Sequence, residues 1–405
     1  MSLDKIFEFF ASLKLAVWVL CLSLVLVFFG TLAQEPLGLY LTQERFFQSF
    51  FVDYASMAAA VKKTLQMVGV YLPPSTAEQV LAAPRIPVFP GGYGLGFVFL
   101  LNLIASQIKT FELSWNKLAL QAAHVGLILL LVGQLLTDML ALESTMHIRE
   151  GQAKNFSELD RFAELAVVEV TNPEFDRVTS IPENVLAKEG EITSESLPFK
   201  IRVNKFYANS EVTNRDPNGT IQPPAMQGLG PQVTVREMAP ETQMDRRNMP
   251  SVTIEASSAD GSLGTWFASF WIQKPQTLKV GDREFEISLR PKRLYKPYTI
   301  ELIDFRHDKY PGTEIPKDFS SMVRVVNLAT GETRETRIYM NNPLRYGGET
   351  YYQASYDKDD QGTVLQVVRN PGWLTPYLAC VVVSVGLLGQ FLMHLVGFFT
   401  RRRNA

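Results

Sequence analysis

Histidine is the residue type in this chain best placed to do chemistry inside a membrane, and the sequence has four of them. His124 lies in Leu118-Ala-Leu-Gln-Ala-Ala-His124 and the apolar run that continues it to Leu136, charge-free between Lys117 and Asp138. An imidazole is costly in hydrocarbon, so it must face a partner group, a cavity or a cofactor. Imidazole is a common axial ligand of haem iron, and it serves equally as a hydrogen-bonding group to a neighbouring helix. Gln121, one turn earlier, adds a second polar group on that face. His394 is the other candidate. It stands seven residues before Arg401, as His124 stands seven after Lys117. At 1.5 Å per residue each is about 10 Å from a flanking charge, which predicts similar depths and admits a bis-imidazole site. The alternative for His394 is a partly hydrated residue near the interface. His147 follows the apolar run by a few residues, and His307 falls in Phe305-Arg-His-Asp-Lys-Tyr-Pro-Gly312, read as a loop. Both are expected to be ordinary surface or interface histidines.

Other chemistries find little support. The two cysteines, Cys21 and Cys380, sit in separate apolar runs with no CxxC spacing, so neither thiol exchange nor a zinc site is available. No nucleophile motif, metal-spaced cluster or phosphate loop is present. A net charge near −2 without a basic stripe gives no sign of nucleic-acid binding. Charged residues at 20% and hydrophobic residues at 46% suit a membrane protein with a sizeable polar portion.

The elements that must position His124 follow from charge-free length, since about 20 apolar residues cross the bilayer core. Leu15 to Gln34 is the first span, preceded by a Phe-rich stretch, Ile6 to Phe10, suited to the interface. A cleaved signal peptide is the rival reading, but its apolar region would be shorter, about 7–15 residues. Residues 35–90 form an extramembrane loop, with amphipathic helices suggested by Phe46-Phe47, Phe50-Phe51, Tyr54, Met57 and Val61. Tyr93 to Ile108 is the second span. The short link Lys109 to Lys117 forces a hairpin into the third span, and 91–140 is read as that hairpin.

From 141 to 371 the period changes to two. Runs rich in β-branched and aromatic residues occur at 165–171, 199–207, 232–237, 252–256, 266–272, 285–289, 298–305, 322–327, 336–340, 350–356 and 364–368, separated by turn signals such as Asp216-Pro-Asn-Gly219 and Asp260-Gly261. This predicts an all-β domain, a sandwich or open barrel, with a long irregular insertion over 210–250. Trp373 to Phe399 is a fourth span, and 372–405 ends in Arg401-Arg402-Arg403. The expected fold is therefore a multi-pass α-helical membrane protein of four transmembrane helices, with a large extracytoplasmic all-β domain between helices 3 and 4. By the positive-inside rule, residues 1–34 and the arginine tail begin and end in the cytoplasm. The loop and β domain then lie on the periplasmic or lumenal side of a bacterial inner membrane or thylakoid.

Several stretches in this order resemble the ResB-like (CcsB) family of system II cytochrome c biogenesis. They are Ser12-Leu-Lys-Leu-Ala-Val-Trp with Gly30-Thr31, the His124 span, Ile148-Arg-Glu-Gly151, and Leu197-Pro-Phe-Lys-Ile201. Met340-Asn-Asn-Pro-Leu-Arg-Tyr-Gly-Gly-Glu-Thr-Tyr-Tyr-Gln-Ala-Ser-Tyr356 and Arg369-Asn-Pro-Gly372 complete the set. The resemblance covers nearly the whole chain and is weakest over 35–90 and 210–250. It implies a haem-handling subunit that works with a CcsA-type membrane partner and with apocytochrome c. In the family the third-span histidine ligates haem b within the membrane, opposite a histidine of the partner, and His124 is the matching position. The chain has five tryptophans and no tryptophan-rich cluster, so external haem attachment falls to another protein. This chain is then an accessory subunit of a cytochrome c synthase. Two rivals stay open: a membrane-anchored binding or signalling module without haem, and a transporter or self-contained b-type cytochrome using His124 with His394.

Overall fold

The computed structural model describes residues 2–112, 114–172, 175–216, 222–259, 261–313 and 316–403. The turns proposed at Pro217–Gly219 and at Asp260 lie outside the described residues. The chain divides into two units. One comprises 1–142, 242–244 and 369–405, and the other 143–241 and 245–368.

The first unit is helical. α1 (Leu3–Phe10) buries no residue and leaves Leu3 and Phe9 exposed, as an interfacial helix requires. It breaks at Ala11, and α2 (Leu13–Leu37) starts on the Ser12 cap, whose hydroxyl accepts from the Leu15 amide. Next come a short helix at Leu39–Thr42 and a π turn at Gln43–Phe47. α3 (Tyr54–Met67) is then capped by Asp53, whose carboxylate accepts from the Ser56 amide at 3.0 Å and from buried Arg45 at 3.1 Å. The amphipathic helices expected in the 35–90 loop are therefore present. α4 (Gly92–Thr110), α5 (Trp115–Leu140) and α6 (Thr375–Arg403) complete the unit. Among the described residues, α2, α4, α5 and α6 are long and apolar enough to cross a membrane. The four spans read from the sequence are thus the four long helices.

Small residues set how these helices approach. A Cβ built on Gly30 of α2 would stand 2.6 Å from the Phe47 ring, so the π turn folds down onto a notch that only glycine leaves. Asn102, buried within α4, donates its amide to Phe10 O at 2.6 Å and Ser12 O at 3.0 Å. Those carbonyls belong to the break between α1 and α2. A polar residue in a membrane span is thereby satisfied, and the bend is pinned.

Among the described residues the second unit is all-β apart from the single turn of helix at Glu183–Leu186 and a 3₁₀ turn at Gly230–Gln232. Its framework strands are β1 (Leu142–Arg149), β2 (Ala153–Glu169), β3 (Phe199–Tyr207), β4 (Ser251–Ser258), β5 (Gly261–Ser269) and β6 (Arg283–Lys309). They continue as β7 (Pro316–Asn327), β8 (Glu332–Tyr339), β9 (Glu349–Tyr356) and β10 (Gly362–Arg369). β5, β4, β3 and the short strand Gly190–Ile192 make a four-stranded antiparallel sheet. The larger sheet runs β8-β7-β6-β2-β1-β10-β9, ending on Leu344–Tyr346.

β2 and β6 pair along their length and serve two cores. The first half of β6 and the second half of β2, with Ile287, Leu289 and Leu165, face the four-stranded sheet across Ile201, Ile254 and Trp266. The second half of β6, with Ile300 and Leu302, closes over Met146, Val323, Ile338, Tyr351 and Leu365. The sequence runs at 285–289 and 298–305 are one continuous strand here, not two. Pro291 sits at a register shift against β2, and a second shift falls between Tyr295 and Ile300, spanning Pro297. A proline that lacks a ladder N–H is tolerated at such irregularities. The insertion at 210–250 holds more order than expected: Ser210–Asn214 pairs with Val233–Glu237 as a hairpin. Residues 242–244 belong with the helical unit, where Tyr40 N donates to Thr242 O.

Candidate functional site

α5 and α6 form an antiparallel pair held by a stripe of small residues. A Cβ on Gly386 would lie 2.6 Å from Ala123 N, and one on Gly389 would lie 3.2 Å from the Ala119 methyl. One on Gly126 would lie 2.5 Å from Val383, and one on Gly133 would lie 2.9 Å from Thr375. Small side chains let helix backbones approach closely where lipid offers no hydrophobic drive. Ala119, Ala123, Gly126 and Gly133 thus mark the face of α5 that meets α6. At 3.6 residues per turn, His124 lies about 140° round the helix from the middle of that stripe. It does not face α6.

The imidazole is half-buried, with Nδ1 2.9 Å from Leu120 O, one turn earlier. A carbonyl oxygen can only accept, so Nδ1 carries the proton and Nε2 holds the lone pair. This is the tautomer that metal-ligating histidines adopt when a carbonyl orients the ring. Among the described residues Nε2 has no hydrogen-bond partner. The donor set therefore fits one axial position of a haem: a neutral, oriented imidazole with a free nitrogen on a membrane helix. Gln121 does not share this role. It is buried, and its amide donates to Glu112 O at 2.7 Å, fastening the α4–α5 link.

The equal depth expected for His124 and His394 does not hold. From the Ala119–Gly389 crossing, His124 lies five residues along α5, and His394 lies five residues along α6 in the opposite direction. The two imidazoles are therefore separated by about 15 Å along the pair, too far to meet at one iron. His394 is exposed and its Nε2 lies 2.9 Å from Gln390 Nε2. Distance from a flanking charge misled here because α6 runs well past the start of α5.

The remaining histidines belong to the β unit. His147 in β1 is a surface residue, as expected, with Nε2 2.9 Å from Asp357. His307 is not in a loop. It lies in β6 with its side chain only 3% exposed, Nδ1 2.8 Å from Asp360 and its ring 4.3 Å from that of Tyr356. Asp357 and Asp360 both sit in the turn joining β9 to β10, so the two imidazoles fasten one turn.

A buried polar cluster is not apparent from the sequence. Lys296, its side chain 4% exposed, bonds both Glu349 oxygens at 2.8 and 2.7 Å. Tyr298 and Tyr351 donate to the same carboxylate at 3.0 and 2.8 Å, and their hydroxyls are 2.8 Å apart. Burial alone would push Glu349 up, but the bonds from Lys296, Tyr351 and Tyr298 hold its carboxyl below the ordinary glutamate value. Burial raises both tyrosines above theirs. A Cβ on Gly347 would lie 2.6 Å from the Tyr298 ring, at a φ of +60°. The Gly347-Gly348 turn therefore both fits the ring and supplies the left-handed backbone. The signal is partly visible in the chain, since Glu349 and Tyr351 lie in the Met340–Tyr356 stretch.

Two known groups of proteins are similar to this chain. Residues 252–364, from β4 to the start of β10 and including this cluster, match the ResB-like family. Over that segment the chain is similar to the family. It is also similar to Protein NrfI of Wolinella succinogenes, with 27% identity over 299 residues. That alignment covers 73% of the chain but 29% of NrfI, so the chain spans less than a third of the relative it matches. His124 lies outside the matched segment, on α5, and its reading rests on the geometry above.

Proposed function

We propose that this chain is a ResB-like protein and the haem-accepting subunit of a membrane assembly for cytochrome c biogenesis. His124 takes haem inside the membrane through Nε2, and the assembly exports the haem and presents it to apocytochrome c. The observation that carries the reading is the orientation of His124: Nδ1 is committed to Leu120 O, Nε2 is free, and the ring is turned away from α6. A second axial imidazole must then come from another chain, which suits a CcsA-type membrane partner. Most of NrfI's length lies beyond the region this chain matches, which is consistent with a larger assembly. Bound haem supplies the vinyl groups to which the thiols of a Cys-x-x-Cys-His segment add as thioethers. This chain has no residue for that step, and it acts by holding and orienting the cargo. With Lys5, Lys14, Lys109, Lys117 and Arg401–Arg402 on the cytoplasmic face, the 35–90 loop and the β unit lie outside.

Cells lacking the chain should lose haem that stays bound to c-type cytochromes on denaturing gels, while apocytochrome polypeptide persists. Unchanged haem staining would contradict the proposal. A membrane-anchored binding module predicts that unchanged result.

A further inference from the structure

We propose that His394 and Gln390 form a second, shallower and weaker station for the same iron-porphyrin cargo. From it, haem moves along the α5–α6 pair to His124. The proposal rests on the haem reading of His124.

Three observations carry it. An open groove of about 570 Å³ runs along α6, lined by Gln390, Leu392, Met393, His394, Val396 and Gly397. A Cβ on Gly397 would meet nothing within 4 Å, so the groove is open at that end. Within it the Gln390 amide nitrogen donates to His394 Nε2 at 2.9 Å, while the Gln390 oxygen is buried without a partner. An amide oxygen left without a donor in apolar surroundings is costly, and it marks the groove as built for more than lipid.

Depth gives the third observation. His394, five residues past the Gly389 crossing, stands level with the start of α5, where Trp115 is exposed and Lys117 follows. Arg401 and Arg402 lie about two turns further, roughly 10 Å away, exposed and without an ion-pair partner among the described residues. A porphyrin with its ring in the groove and its iron at His394 would place its carboxylates toward those arginines, which fits a flat apolar dicarboxylate.

The two stations differ in affinity for a stated reason. His124 offers Nε2 free, whereas His394 must first release the Gln390 amide. Losing one neutral hydrogen bond weakens binding by about two- to tenfold. Cargo therefore passes from the surface station to the deeper one. The iron–nitrogen bond to His394 breaks, the cargo moves about 15 Å along the pair, and the bond to His124 then forms, with no change in oxidation state.

The test is hemin titration of the full chain with its membrane partner in nanodiscs, followed by Soret absorbance. His124→Ala should retain a weaker histidine-ligated hemin signal, and His124→Ala/His394→Ala should lose the part of that signal that depends on His394. His124→Ala/Gln390→Leu should tighten it by about two- to tenfold. His394→Ala alone should slow hemin loading and leave the final spectrum unchanged. Equal hemin binding by His124→Ala and His124→Ala/His394→Ala, with the parent chain still giving its His124 spectrum, would overturn the station and leave the His124 reading standing. The station is likewise overturned if adding Gln390→Leu to His124→Ala changes nothing, as expected of a helix-packing contact. A parent chain without any histidine-ligated spectrum would overturn both.

Discussion

His124→Ala is expected to strip the complex, as purified, of the haem proposed to bind within the membrane, while the protein inserts and assembles normally. The side chain is half-buried and its one hydrogen bond is to its own helix, so truncation should cost no more than about 1 kcal/mol of stability. Its effect on iron is of another order, because the oriented free nitrogen is removed outright. Haem content per mole of protein should fall by more than tenfold with an unaltered far-ultraviolet circular dichroism spectrum. His394→Ala should leave that content within a factor of two, because it stands some 15 Å away along the pair. If His124→Ala keeps its haem and spectrum, the ligand lies elsewhere.

The largest effect on stability is expected from Lys296→Met. It leaves the Glu349 carboxylate buried against two tyrosines with no counter-charge. Breaking one partner out of a buried pair costs about 3–5 kcal/mol. In a unit of this size that corresponds to a fall in melting temperature of about 6–20 °C. The pH dependence separates an ionic origin from a steric one. In the parent chain the Glu349 carboxyl titrates below its ordinary value. Its contribution to stability is therefore complete above the usual glutamate range and is lost as pH falls through the depressed value. Without Lys296 the buried carboxylate favours protonation, so the deficit of Lys296→Met should shrink as the solution is acidified. Tyr298 and Tyr351, raised above the usual tyrosine range, contribute below that range and lose their contribution as pH rises through the raised values. A deficit that stays constant between neutral and mildly acidic pH would show that only the shape of Lys296 matters.

The spans were readable because a charge-free run long enough to cross hydrocarbon has few other fates. The β unit was readable because residues alternate along Phe199–Tyr207 and its neighbours. What stayed hidden depended on partners far away in sequence. The length of β6 was masked by Pro291 and Pro297, which read as breaks until register shifts accommodate them. His307 looked like a loop residue because Asp-Lys-Tyr-Pro-Gly follows it, and its carboxylate partner is 53 residues on. The relation between His124 and His394 is fixed by the interlock of Ala119, Ala123, Gly386 and Gly389. Residue counts from Lys117 and Arg401 do not measure it. Asn102 shows the converse, since a polar residue in a span proves to hold the α1–α2 break.

If His124 supplies one axial ligand to a haem shared with another membrane chain, neither chain holds that haem well by itself. The deciding experiment is the absorbance spectrum of this chain, purified alone and purified with its membrane partner from the same host. The pair should give a bis-histidine b-type spectrum, lost on His124→Ala, and the chain alone should carry little haem. An equally intense bis-histidine spectrum from the chain by itself, or one from the pair that survives His124→Ala, would contradict shared ligation through His124.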